Sequence, residues 1–176
     1  MELWLIIATA FWLIAPAYAA NAFAPLAKGK RPLDFGKSFR GKRILGDGKT
    51  FEGTIAGIIF GIFLGSLLMY VQGFYPNEMA ALGFVVYTLP LIILLSVGAI
   101  AGDIAGAFIK RRFGIERGAP APLLDQLDFV IGALFFAGFI YLPEAGSIIF
   151  LLLITPIIHW IANLIGYAVK VKKTPW

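Results

Sequence analysis

The apolar positions of this chain do not alternate with polar ones. They gather into five long runs, approximately Leu3 to Phe23, Ile55 to Val71, Ala80 to Ala101, Leu127 to Leu142 and Ser147 to Val169. A helix needs about 20 apolar residues to cross roughly 30 Å of hydrocarbon. The second and fourth runs are short, so they borrow flanking residues or lie where the bilayer thins. No strand-like pattern and no soluble domain is left over. The pattern predicts an all-α integral membrane protein of about five transmembrane helices, one domain over residues 1–176. Its polar loops fall at about 24–54 and 102–126.

Ala17-Tyr18-Ala19 resembles a signal-peptidase site, but Met1-Glu2-Leu3-Trp4 lacks the positive start of a secretory signal. The first run is therefore read as a retained helix. Composition agrees with the membrane reading: 60% of the residues are hydrophobic and 14% charged, against roughly 45–50% and about 25% in soluble domains. There is no cysteine, which excludes disulfides and thiolate metal sites.

Charge orients the helices. Of the 15 basic residues, eight lie between Lys28 and Lys49, four between Lys110 and Arg117, and three at Lys170, Lys172 and Lys173. With five spans, all three groups share one side. The other side holds the N-terminus and the turns at Tyr75-Pro76-Asn77-Glu78 and Pro143-Glu144-Ala145-Gly146, with no Lys or Arg. The positive-inside rule makes the basic side cytoplasmic, with the N-terminus outside and the C-terminus inside. The expectation is a multi-pass protein of the cell membrane whose site faces the cytoplasm, in contact with membrane lipids and with no role in nucleic-acid binding.

The candidate chemistry is on that side too. Seven of ten acids lie there, and three are hard to explain as solvated charge: Asp103 at the end of the third run, and Asp125 and Asp128 at the start of the fourth. Acids near a helix N-terminus are favoured by its dipole, which accounts for Asp125 but less well for Asp128. An ionisable group at the edge of a span is a functional candidate. Clustered carboxylates with one histidine and no cysteine favour a hard cation such as Mg²⁺. Lys110, Arg111 and Arg112 beside them suggest phosphate chemistry; if the third helix continues past Asp103, that acid and Lys110 are two turns apart on one face.

GDGKTFEG at residues 46–53 ends like a phosphate-binding P-loop, but the glycine required five positions before Gly48 is Arg43, and a membrane helix follows. What remains is a glycine-bearing turn at a helix N-terminus, which presents N–H groups to an anion; Lys49 and Thr50 add a charge and a hydroxyl. Gly53, Gly57, Gly61 and Gly65, and again Gly98, Gly102 and Gly106, form small-residue faces for close helix approach, within one chain or in a homodimer. His159 and Asn163, four apart, are expected to hydrogen-bond between helices. Pro16, Pro90 and Pro156 are expected to kink theirs.

Together GDGKTFEG, Gly102-Asp103 with Lys110-Arg111, and LLDQLDF at 123–129 resemble the CTP-dependent lipid cytidylyltransferases: the CDP-diacylglycerol synthases and their smaller archaeal relatives. That family carries GDxxxSxxKR, then DRxD, and a K-T-x-E-G element. Here Ala107 replaces the serine and Gln126 the arginine, and Gly118-Ala119-Pro120-Ala121-Pro122 stands where HGG is expected. These departures, and the short chain, point to the archaeal branch. The resemblance implies attack of an unsaturated ether-lipid phosphate, 2,3-bis-O-geranylgeranylglycerol 1-phosphate, on the α-phosphorus of CTP, with pyrophosphate leaving. It implies Mg²⁺ on Asp103, Asp125 and Asp128. Arg43, Lys49, Thr50, Lys110 and Arg111 would hold phosphates, and Glu52 would orient Lys49 or a metal-bound water. Asp103, Asp128 and Lys110 would be the catalytic groups.

Two rivals remain at this stage. A CDP-alcohol phosphatidyltransferase would need a DGxxAR arrangement that is absent. A transporter would place polar groups near the midplane, where only Thr155, His159 and Asn163 qualify.

Overall fold

The computed structural model describes residues 2–170; Lys172 and Lys173, read above as topological charges, lie outside them. Among the described residues six α-helices are formed: α1 Leu3–Phe23, α2 Phe51–Gln72, α3 Pro76–Ala81, α4 Leu89–Arg112, α5 Leu124–Ala137 and α6 Ala145–Ala168. A two-stranded hairpin, β1 Ser38–Phe39 and β2 Lys42–Arg43, lies between α1 and α2. The chain is an all-helical, multi-pass membrane protein. Helices α1, α2, α4 and α6 are long and apolar enough to span a bilayer; α5, with 14 residues, is shorter than that.

The contacts of the five long elements fix their alternation. Going along α2, Gly53, Gly57 and Gly61 meet Ala24, Ala20 and Pro16 of the α1 end in descending order, so the two run antiparallel. The same glycine face meets Ile100, Ser96 and Ile92 of α4. Helix α4 lies antiparallel to α5, with Gly98 against Gly132 and Gly102 against Asp128. Helix α6 runs alongside α1: Phe11 stacks edge-on with Phe150 at 5.5 Å, and the hydroxyls of Tyr18 and Thr155 are 2.7 Å apart. The C-terminal ends of α1, α4 and α6 and the N-terminal ends of α2 and α5 therefore meet at one end.

Both glycine ladders are used within the chain. A Cβ at Gly61 would stand 2.5 Å from Ser96 Oγ and 2.8 Å from the Pro16 carbonyl, so only hydrogen there lets three backbones approach. Both glycine faces pack against helices of the same chain.

Several boundaries differ from the sequence reading. The third run does not begin at Ala80: α3 ends at Ala81, Gly83 follows with φ +83°, and α4 starts at Leu89 with Thr88 as its N-cap. Pro90 thus lies in the first turn, where its missing N–H costs nothing, and it kinks no helix. Helix α4 continues through Asp103 to Arg112, because Ile104, Phe108 and Ile109 keep an apolar face past the acid. The second polar loop therefore begins at Phe113, not residue 102, while the first ends at Thr50, which caps α2. Helix α5 ends at Ala137, short of Leu142. The connection over residues 73–88 is longer than a turn. Gln72 seals it at the far end, donating to Val85 O and accepting from Tyr87 N, both at 2.9 Å.

Candidate active site

Above the shared end sits a polar cap organised by Asp34. Its side chain is fully buried. It accepts from the N–H groups of Gly36, Leu45 and Gly46 at 2.9–3.0 Å, and from Arg43 through Nη2 at 2.7 Å and Nε at 3.2 Å. The Arg43 guanidinium and these three amides hold the Asp34 carboxyl well below the usual carboxylate range. Arg43 also pairs with Asp47 at 2.7 Å. The hairpin turns at Arg40 and Gly41, both at positive φ. Arg112 pins it to the end of α4, donating to the carbonyls of Phe39, Lys42 and Arg43 at 2.5–3.2 Å.

This cap places Gly48 and Lys49 over α4. Lys49 Nζ lies 2.5 Å from Asp103 Oδ2. Lys110 Nζ lies 2.8 and 3.0 Å from the two Asp125 oxygens and donates to Ala119 O at 3.1 Å. Asp125 in turn accepts from Ala121 N at 2.9 Å, so this ion pair also fastens the Gly118–Pro122 strap. Asp128, one turn further along α5, has no ion-pair partner among the described residues. It reaches the site because Gly102 and Gly106 of α4 carry no side chain: a Cβ on either would overlap the backbone or carboxylate of Asp128.

All three aspartates, Lys49, Lys110 and Arg111 line one cavity of about 150 Å³. Two larger spaces open from it. A cavity of about 530 Å³ on the cap side is lined by Lys42, Arg43, Asp47 and Glu116. Arg111 and Arg117 line both it and the inner cavity. The other, of about 450 Å³, runs from the aspartates between α1, α5 and α6 past Tyr18, Phe129, Ile158 and Ala162. One route is basic and polar, the other mainly apolar. Arg111 Nη1 donates to Ile115 O, while its buried Nε has no partner among the described residues. An orphaned guanidinium donor beside a cavity suits an anion.

The structure brings together Asp103, Asp125, Asp128, Lys49, Lys110 and Arg111. It assigns other work to three residues singled out in the sequence. The Thr50 hydroxyl accepts from Gly53 N at 3.2 Å as the α2 cap, next to the small space beside Lys49 and Asp103. Glu52 pairs with Arg31 at 3.1 Å, and does not orient Lys49. Arg43 spends its fork on Asp34 and Asp47, at the outer cavity only. Lys110 faces Asp125 across to α5, not Asp103 on its own helix. His159 and Asn163 hydrogen-bond to each other within α6 at 3.2 Å and line the apolar cavity. Arg117 and Asp34 were not identified from sequence, and Arg112, read there with Lys110 and Arg111 as phosphate-facing, instead pins the hairpin. Only Asp34 carried a signal, as an acid isolated among basic and glycine residues.

The donor set has hard carboxylate oxygens and fits a cation such as Mg²⁺ in kind. Yet as the side chains stand, no three acids or imidazoles among the described residues close around a metal position, since ammonium groups face two of the aspartates.

The CarS-like CDP-archaeol synthase family matches residues 3–176. The CDP-archaeol synthase of Methanopyrus kandleri is 44% identical, covering 98% of this chain and 95% of that relative. That of Pyrococcus abyssi is 45% identical over 95% and 96%, and that of Methanococcus maripaludis is 45% identical over the full length of both. A solved structure described as an intramembrane enzyme for archaeal membrane lipids biosynthesis is 41% identical. It superposes with a TM-score of 0.75 over 88% of this chain and 92% of its own.

Proposed function

Because the chain belongs to the CDP-archaeol synthase family of archaeal membrane lipid biosynthesis, we propose that it joins CTP to an ether-lipid phosphate. The lipid is the unsaturated 2,3-bis-O-geranylgeranylglycerol 1-phosphate, and the reaction takes place at the cytoplasmic face of the cell membrane. One observation carries this reading: three aspartates from two antiparallel helices share a cavity with Lys49, Lys110 and Arg111, between a basic space and an apolar one. A nucleoside triphosphate suits the first, and a phosphate on two long chains suits the second.

In the reaction an oxygen of the lipid phosphate forms a bond to the α-phosphorus of CTP. The bond from that phosphorus to the bridging oxygen breaks, and pyrophosphate leaves. The nucleophile is already an anion, so no strong base is required; positioning and charge neutralisation supply the rate. Lys49, Lys110 and Arg111 hold the phosphates. Asp103, Asp125 and Asp128 would hold Mg²⁺, which when bound neutralises charge on the phosphate oxygens. Arg43 and Asp34 act through the cap that places Gly48 and Lys49.

The test is pyrophosphate release from CTP and the lipid phosphate by Asp103→Asn and Asp128→Asn, in membranes where folded protein accumulates normally. Loss of about 10²-fold or more is expected, as for removal of a group that stabilises transition-state charge. Near-normal turnover in both would sink the assignment.

A further inference from the structure

The places a divalent cation would take beside Asp103 and Asp125 are filled by side-chain ammonium groups of the protein itself. Lys49 Nζ is 2.5 Å from Asp103, and Lys110 Nζ is 2.8 Å from Asp125. Both pairs are largely withdrawn from solvent, with side-chain exposures of 25% and 22% for the first and 12% and 33% for the second. We propose that Lys49 and Lys110 are exchangeable counter-ions that bar a bare cation from the site, so that the substrate taken up is a preformed complex of divalent cation and nucleoside triphosphate. The proposal rests on the metal-dependent reading above and adds an order of events to it.

The electrostatics dictate the order. A cation arriving alone must approach two ammonium groups at ion-pair range, in surroundings that screen poorly. Displacing them would leave two part-buried lysines with no acceptor in reach, a costly outcome for a charged group. A nucleoside triphosphate changes both sides of that balance. Its phosphate oxygens give each lysine a new charge-assisted acceptor, while its bound cation replaces the lysine at the aspartate. Arg111, which lines the same cavity, brings a further positive charge to those oxygens. Asp103 and Asp125 thus each keep a positive partner before and after the exchange.

The experiment measures protein-bound Mn²⁺ as the metal that co-elutes with the full-length, detergent-solubilised protein on a size-exclusion column equilibrated in Mn²⁺, with and without CTP and with no lipid phosphate present. The wild type should bind Mn²⁺ weakly alone and tightly with CTP. Lys49→Met and Lys110→Met should each raise the affinity for Mn²⁺ alone by about tenfold or more, since each removes a like charge at ion-pair distance. Lys49→Arg keeps the charge and should show no gain, which separates charge exchange from loosened packing. Size-exclusion profiles report whether each variant is folded. Wild-type protein that binds Mn²⁺ alone as tightly as the two Met variants would overturn the exchange. Asp103→Asn and Asp128→Asn distinguish the two levels: if they leave CTP-dependent Mn²⁺ binding intact, the metal assignment fails. If they abolish it while the Met variants gain nothing, only the exchange fails.

Discussion

Gly106 of α4 lies directly beneath the carboxylate of Asp128 of α5, so close that even a methyl group would overlap it. The glycine and the acid are one device: the first provides the room in which the second is aimed. Gly106→Ala should therefore cost activity by displacing a carboxylate it does not touch chemically. A shift of about 1 Å at a reacting centre is worth roughly 10²-fold, and a loss of that order in CTP-dependent turnover is expected with the protein still monodisperse. Unchanged turnover would show that the placement of Asp128 is immaterial.

The cap depends on one buried anion. Asp34 titrates well below an ordinary carboxylate because its charged form is bonded to Arg43 and three amides. Its contribution is therefore present above the unfolded-state pKa of a carboxylate and fades only as pH falls through the depressed folded value. The wild-type cap should stay protected from hydrogen exchange over residues 31–50 at pH 5 as at pH 7. Asp34→Asn should lose that protection at both, at a local cost of about 1.5–3 kcal/mol for each charge-assisted bond removed. Protection that survived in the variant would argue against the carboxylate as its organiser.

Arg43 and Arg111 look alike in the sequence and should behave differently. Arg111→Ala removes a donor from the inner cavity and should raise the KM for CTP about tenfold or more, in line with a lost charge-assisted contact. Arg43→Ala should act chiefly through the cap, increasing proteolysis of residues 37–47 with a smaller change in KM. Equal KM effects with an intact cap would place both on the nucleotide.

Gly61→Leu inserts a side chain where a Cβ already meets Ser96 and Pro16. Overpacking costs about 1–3 kcal/mol, so a lower thermal midpoint is expected with unchanged oligomeric state. A shift in oligomeric state without loss of stability would instead make the ladder an intermolecular face.

Much of this was legible because membrane helices announce themselves by length and apolarity: α1, α2 and α6 lie close to the runs read for them. The site acids were legible as charges set among apolar residues, and the glycine ladders through their spacing. The start of α4 was missed because Ala80 to Phe84 is as apolar as the helix that follows, and composition does not show that Gly83 adopts positive φ. Its end was missed because Asp103 looked like a boundary, whereas α5 and Lys49 accommodate the acid inside the helix. The partners of Arg43, Glu52 and Lys110 depend on the cap folding over α4. Nothing local distinguishes an arginine bonded to Asp34 from one aimed at a phosphate. Arg117 sits beside Glu116 in a loop bounded by Gly114 and Gly118, and only its position between two cavities gives it meaning.

The brevity of α5 has a consequence for the lipid. Fourteen residues make a rod of about 21 Å, against roughly 30 Å of hydrocarbon, and Asp128 lies one turn inside it. On the proposed function, a phosphate anchored by two isoprenoid chains would not have to be hauled out of its leaflet to be activated; the aqueous phase, with its nucleotide, would descend to the lipid. Each methylene that stayed in hydrocarbon would avoid about 0.8 kcal/mol, on both chains, at every turnover.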